Sequence, residues 1–211
     1  MEGFINDTPV ATIIFIFTIV TSLYAFSNAE VYGKFMLHPY SVSRGRRLYS
    51  LITSGLIHKD WGHLFVNMFS FYFFAFKLEE TFAYYSPWGH VQFGVLYIVS
   101  IVLSDISSII RHKEDFWYNS LGASGAVCAI LFSYILFFPK NEIGVFPLPF
   151  GIPAYIFGFL FLGYCAYAAR HSRDAINHDA HFYGAITGVA LTIIYYPDIA
   201  GYFVSQLTGR G

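Results

Sequence analysis

Apolar residues run along this chain in long blocks separated by polar clusters. Six blocks, at roughly 10–27, 62–78, 91–110, 123–139, 152–169 and 181–197, have the length of about 17 to 25 residues that carries a helix across a hydrocarbon core. The pattern predicts an all-α membrane protein, one domain over residues 1–211 with six transmembrane helices. The first block is read as a spanning helix rather than a signal peptide. Its lead-in, Met1 to Pro9, carries Glu2 and Asp7 but no Lys or Arg, so the positive region of a signal peptide is missing.

The connections differ in kind. Asn28 to Trp61 is long and carries Lys34, Arg44, Arg46, Arg47 and Lys59, whereas the others are short and built on Pro, Gly and charged residues. Within the long one, "RRLYSLITSGLIH" intersperses polar residues with Leu48, Leu51, Ile52, Leu56 and Ile57, the pattern of a segment lying in or dipping into the membrane interface. There is no internal repeat and no low-complexity tract.

Six spans give the even-numbered helices one direction. The polar clusters "HLFVN" (His63 to Asn67), "GASG" (Gly122 to Gly125) and "HDAH" (His178 to His181) each stand at the start of an even-numbered helix. All three are therefore expected in the same leaflet, at similar depth, as parts of one composite site.

Composition sharpens this picture. Over 211 residues, 56% hydrophobic and 21% aromatic content with 12% charge is wrong for a soluble fold. Cys128 and Cys165 stand singly in apolar segments, which excludes a disulfide framework or a CxxC site and leaves them as small packing residues. A net charge of −1, without a basic cluster among aromatics, argues against a nucleic-acid partner and for the lipid bilayer as solvent. Lys77, Lys140 and Arg210 are the three cations on the side of the termini, against nine on the other side, five of them in the long loop. Taken literally this count puts the polar clusters in the cytoplasm; with the long loop embedded it becomes three against four and decides nothing.

Ser124 is the candidate nucleophile. It opens a helix, where unpaired N–H groups and the positive dipole end favour an oxyanion, and Gly122 and Gly125 leave room for a substrate backbone. The competing reading is purely packing, with Gly122/Ala126 and Gly125/Ala129 as small-xxx-small pairs. His181 is the candidate base. Gly184 and Gly188, four apart on the same helix, would let it press against the helix of Gly125 and Ala129 and so bring the imidazole to the serine; a histidine simply capping a helix is the alternative. His63 and Asn67 share a helix face and can both donate to a transition-state oxygen, or else to a neighbouring helix. Asp105, at about 2.5–3.5 kcal/mol in lipid, must face protein or water, in a structural hydrogen bond, at an interfacial position or orienting a histidine. Glu79 and Glu80, at the far end of the second helix, are expected to bond to neighbouring helices or the long loop. His58, His63, His178 and His181 offer a possible zinc set, although their spacing matches no HExxH signature.

The stretches "SGLIHKDWGHLFVNM", "GASGAV" and "NHDAHFYGAITG", in this order, resemble the rhomboid family of intramembrane serine proteases. The resemblance implies a six-helix rhomboid-like bundle of the bacterial type with a partly embedded first loop. It implies Ser124 as nucleophile and His181 as base in a dyad, with His63, Asn67 and the Ser124 N–H as the oxyanion hole and His58 in a structural role. Gly184 and Gly188 match the family's AHxxGxxxG. No metal and no organic cofactor is implied. The implied substrates are transmembrane proteins entering laterally near helices two and five. The implied location is a multi-pass protein of the bacterial inner membrane whose active site opens to the non-cytoplasmic side, against the literal charge count. Two positions depart from the family. Tyr49-Ser50 stands where many members have Trp-Arg, with Arg46 and Arg47 just upstream, and Cys128 stands where some members carry an aromatic stacked on the catalytic histidine, a role that leaves Tyr183 or another aromatic to fill. Two other classes compete with the protease: a non-catalytic rhomboid-like binder of membrane proteins, and a zinc membrane hydrolase using the four histidines.

Overall fold

Pro9 opens the first long helix, α1 (Pro9–Ser27), at a position where a missing N–H is no loss. Asn28 follows, and its side chain accepts from the Val31 N–H at 3.0 Å to start α2 (Ala29–Phe35). Two further short helices, α3 (Pro39–Val42) and α4 (Ser50–Thr53), and a 3-10 turn (Ser54–Leu56) complete the first loop. Asp60 caps α5 (Trp61–Tyr85), its carboxylate accepting from the His63 N–H at 2.8 Å. The next helix, α6 (Gly89–His112), ends on Arg111 and His112, where the negative end of the helix dipole favours cations. Then come α7 (Ser124–Phe137), a hairpin of β1 (Glu142–Gly144) and β2 (Gly151–Pro153) with Ile143 opposite Ile152, α8 (Ala154–His171), α9 (His178–Tyr195) and α10 (Ile199–Thr208). This computed structural model describes residues 6–145, 149–172 and 176–209; Glu2 and Arg210 lie outside them.

Each of the six apolar blocks holds a helix here, and some boundaries move. The fourth helix begins at Ser124 and has 14 residues, and the fifth begins at Ala154 because Gly151–Pro153 pairs with Glu142–Gly144. The sixth stops at Tyr195. Past Pro197, α10 has no counterpart among the blocks, since its 10 residues fall below spanning length. On length and composition, α1 and α6 are apolar enough to cross a membrane, and α7 is a shorter apolar helix.

In α7, 12 of the 14 residues are buried, so it is the central helix, with α5, α6 and α9 packed around it. Its closest neighbour is α9. A Cβ on Gly184 would overlap the Gly125 carbonyl, and one on Gly188 would overlap the Ala129 carbonyl. Small residues on both helices therefore let the two backbones touch, and the Ser133 and Thr192 hydroxyls bond across the same seam. The outer faces of α1, α5 and α8 instead expose Ile13, Phe17, Phe65, Leu160 and Tyr164, the reverse of a water-soluble surface.

Buried polar residues fasten the periphery to this centre. The fully buried Glu79 accepts from the Val10 and Ala11 N–H groups at 3.1 and 2.6 Å and pairs with His90 at 2.7 Å, tying α5 to the start of α1 and to α6. Glu80 pairs with Lys77 on the surface. In the first loop, Arg47 takes a left-handed backbone (φ 53°) and its Nη2 donates to the carbonyls of Gly33, Lys34 and Met36 at 2.7–3.1 Å. Arg47 thus closes the exposed carbonyl end of α2.

Candidate active site

The three clusters expected to share a side do so. His63 stands in the first turn of α5, Ser124 at the first position of α7 and His178–His181 in the first turn of α9. Ser124, His181, His63 and Asn67 all line one cavity of about 1590 Å³ between α5, α7, α8 and α9. Around its rim stand Lys59, Asp60, Arg111 and Asp179, the last two joined in an ion pair.

The approach to Ser124 is set by the residues before it. Gly122 has φ +122°, a conformation that a residue with a Cβ rarely adopts, and a Cβ there would stand 2.6 Å from the His63 ring. The first loop grips this turn at three points. Leu37 and Ser120 exchange N–H···O bonds of 2.9 and 3.1 Å, the Gly122 N–H donates to the Ser54 carbonyl at 2.9 Å, and the Ala123 N–H points at His58 Nε2 over a long 3.5 Å. Asp105 of α6 accepts from Ser54 Oγ at 3.3 Å, which favours, among its sequence readings, a structural bond to the loop. The N–H groups of the first turn, beginning at Ser124, have no acceptor within the helix.

The histidine tautomers follow from their partners. His58 Nε2 accepts from Ala123, so Nδ1 carries the proton toward Ser22 Oγ at 3.0 Å, and Ser22 in turn donates to the Leu56 carbonyl at 3.1 Å. Burial pushes the His58 pKa down to about 3, which keeps this ring neutral. For His63, Nδ1 accepts from the Lys59 N–H at 3.3 Å. Its proton therefore sits on Nε2, the nitrogen lying against the Gly122 turn. Asn67 is buried and gives one amide hydrogen to the His63 carbonyl at 2.9 Å, leaving the second for the cavity.

His181 lies against Phe161 of α8, with ring centroids 6.2 Å apart and planes inclined by 25°. This supplies the aromatic neighbour that Cys128 cannot. It comes from a different helix, and Tyr183 is not it, packing on Phe182 with half its surface exposed. No sequence spacing links residue 161 to residue 181, which is why the pair was not legible beforehand. The four histidines of the zinc reading do not gather. His58 has both ring nitrogens committed, and among the described residues the group of metal-donor side chains is Cys165, His178 and His181.

A family model described as "Rhomboid domain" matches residues 45–198, which takes in His63, Asn67, Ser124 and His181. The chain belongs to the rhomboid family. Among curated proteins it is similar to three from Arabidopsis thaliana. It is 27% identical to RHOMBOID-like protein 12, mitochondrial, over 72% of this chain and 49% of that protein. It is 30% identical to Rhomboid-like protein 16, chloroplastic, over 54% of this chain and 38% of that protein, and 30% identical to RHOMBOID-like protein 6, mitochondrial, over 43% and 26%. This rhomboid domain thus spans about half the length of the first of these relatives and less of the others. Membership makes it an integral membrane protein of a family of intramembrane proteases.

Proposed function

We propose that this protein is an active intramembrane serine endopeptidase that cleaves peptide bonds in or beside transmembrane segments of other proteins. The observation that carries the reading is the opening of Ser124, His181, His63 and Asn67 onto one cavity, at the end of the α7–α9 seam where glycine lets two helices touch. In this reading Ser124 Oγ attacks the scissile carbonyl carbon while His181 takes its proton. The resulting oxyanion is held by the Ser124 N–H, His63 Nε2–H and Asn67 Nδ2–H. His181 then returns the proton to the departing amine as the C–N bond breaks. Water from the cavity cleaves the acyl-enzyme, giving up its proton to His181, and restores Ser124.

We further place the helices of the six apolar blocks across the bilayer. At about 1.5 Å per residue α7 is only about 21 Å long, against roughly 30 Å of hydrocarbon, so with its far end at one boundary Ser124 lies roughly 9 Å beneath the other. A serine at that depth meets substrate helices rather than soluble loops. Cleavage needs an extended backbone, so segments whose helix is easily unwound are the favoured substrates. We assign the protein to a bacterial inner membrane on its six-helix pattern, with the cavity opening away from the cytoplasm.

The test is cleavage of a model transmembrane substrate by purified protein in liposomes. Wild type cuts it, and folded Ser124→Ala and His181→Ala proteins do not. Undiminished cutting by either variant would overturn the assignment.

A further inference from the structure

The cysteine at position 165 is buried, yet it lies on the cavity-facing stripe of α8. Phe161 and Ala168, one turn to either side of it, both line the cavity. Across from it on α9 stand His178 and His181, three residues apart and so on one helix face. The thiol sulfur and one nitrogen from each ring all lie within 4.8 Å of one another.

We propose that Cys165, His178 and His181 form a binding site for a zinc ion, and that zinc held there reversibly switches the protease off. Thiolate and imidazole are the ligands that zinc prefers, and three protein ligands with an open fourth position is a stable arrangement for it. Tetrahedral bonds of about 2.0–2.3 Å set ligand atoms about 3.4–3.8 Å apart, so side-chain rotations closing the triad by roughly 1 Å complete the geometry. Binding releases the thiol proton to water, and the thiolate offsets one of the two positive charges in a poorly solvated place. The ion reaches the site from the cavity, which His178 and His181 both line.

The functional consequence rests on the protease reading. A nitrogen lone pair of His181 that is shared with zinc accepts no proton from Ser124. The same ion would also pin α8 to α9. The chain therefore carries its catalytic base inside a metal-binding triad, so that free zinc and turnover compete for one imidazole.

Binding and inhibition are tested separately. In the first arm, folded Ser124→Ala protein in detergent is titrated with Co²⁺ as a spectroscopic stand-in for zinc. The expected result is one ion per chain, with a thiolate-to-cobalt charge-transfer band and tetrahedral ligand-field bands, both lost in the Cys165→Ser and His178→Gln versions. Absence of the thiolate band, or its persistence in Cys165→Ser, would overturn the site whether or not the protein is a protease. In the second arm, Zn²⁺ is expected to stop wild-type cleavage and a chelator to restore it. Cys165→Ser should cut normally without metal and need at least about tenfold more Zn²⁺ for inhibition, the least that loss of even an outer-shell partner brings. Equal zinc sensitivity in Cys165→Ser would overturn the switch. A wild type that binds Co²⁺ through the thiolate but cuts nothing at any zinc level would overturn the switch and the protease reading while leaving the metal site standing.

Discussion

His63 and Asn67 differ in how far their roles could be read in advance. Their four-residue spacing was enough to place both on one face of α5, but the bond that sets the His63 tautomer, from the Lys59 N–H, depends on how the chain enters the helix after Asp60. Asn67 keeps one amide hydrogen after serving the His63 carbonyl, and that hydrogen is the one available to an oxyanion. Asn67→Ala should accordingly lower kcat for a model substrate by roughly 10² to 10³, with KM little changed. Steady-state kinetics in liposomes checks this, and an unchanged kcat would remove Asn67 from the oxyanion hole. Phe161 marks the opposite limit. It reaches His181 only because α8 folds beside α9, a tertiary fact that no local pattern encodes.

Among the elements, the α7–α9 seam was the most legible part of the fold. Gly184 and Gly188 at a spacing of four, facing Gly125 and Ala129, announced a close helix contact, and the contact is made by these four residues. Gly184→Val should drive a methyl-bearing carbon into the Gly125 carbonyl, lowering stability by about 1–3 kcal/mol and reducing cleavage with it. Gly163→Ala on α8, where an added Cβ meets nothing, should leave both intact. Thermal denaturation in detergent distinguishes the two, and equal melting temperatures would mean that the seam is looser than described. The first loop was legible as an interfacial segment but not in its fastenings. Arg47, two residues ahead of the Tyr49-Ser50 departure, supplies the anchor through three carbonyls of the α2 end, in a left-handed conformation that propensity alone would not assign to an arginine.

His58 gives this loop a pH signature. Its pKa is depressed to about 3 in the folded protein against about 6.5 in an unfolded chain, so unfolding takes up a proton in that window. The stability involved is complete above about pH 6.5 and is lost as the pH falls from there toward about 3, on the order of 1.4 kcal/mol per unit. A comparison of melting temperatures at about pH 7 and about pH 5.5 should show a drop in wild type that is much reduced in His58→Gln, whose amide keeps a donor and an acceptor but does not titrate. An equal drop in both proteins would mean that the buried network is not what this pH range disturbs.

At the scale of the whole molecule, hydropathy marked six blocks and their parity grouped three polar clusters; the structure has a helix at each block and brings the clusters to one cavity. The short hairpin of β1 and β2 and the terminal α10 escaped it, because three-residue strands and a ten-residue helix lie below the length at which apolar runs speak clearly. The depth proposed for Ser124 rests on features seen only at this scale, a central helix of 14 residues and a first loop fastened to the turn that leads into it.

The central claim is that Ser124 is a nucleophile activated by His181. It is tested most directly by labelling the membrane-embedded protein with a fluorophosphonate and locating the adduct by mass spectrometry. The account predicts an adduct on the Ser124 peptide of the wild type, none in Ser124→Ala, and strongly reduced labelling in folded His181→Ala. A folded wild type that takes no label, or a label that survives Ser124→Ala, would contradict it.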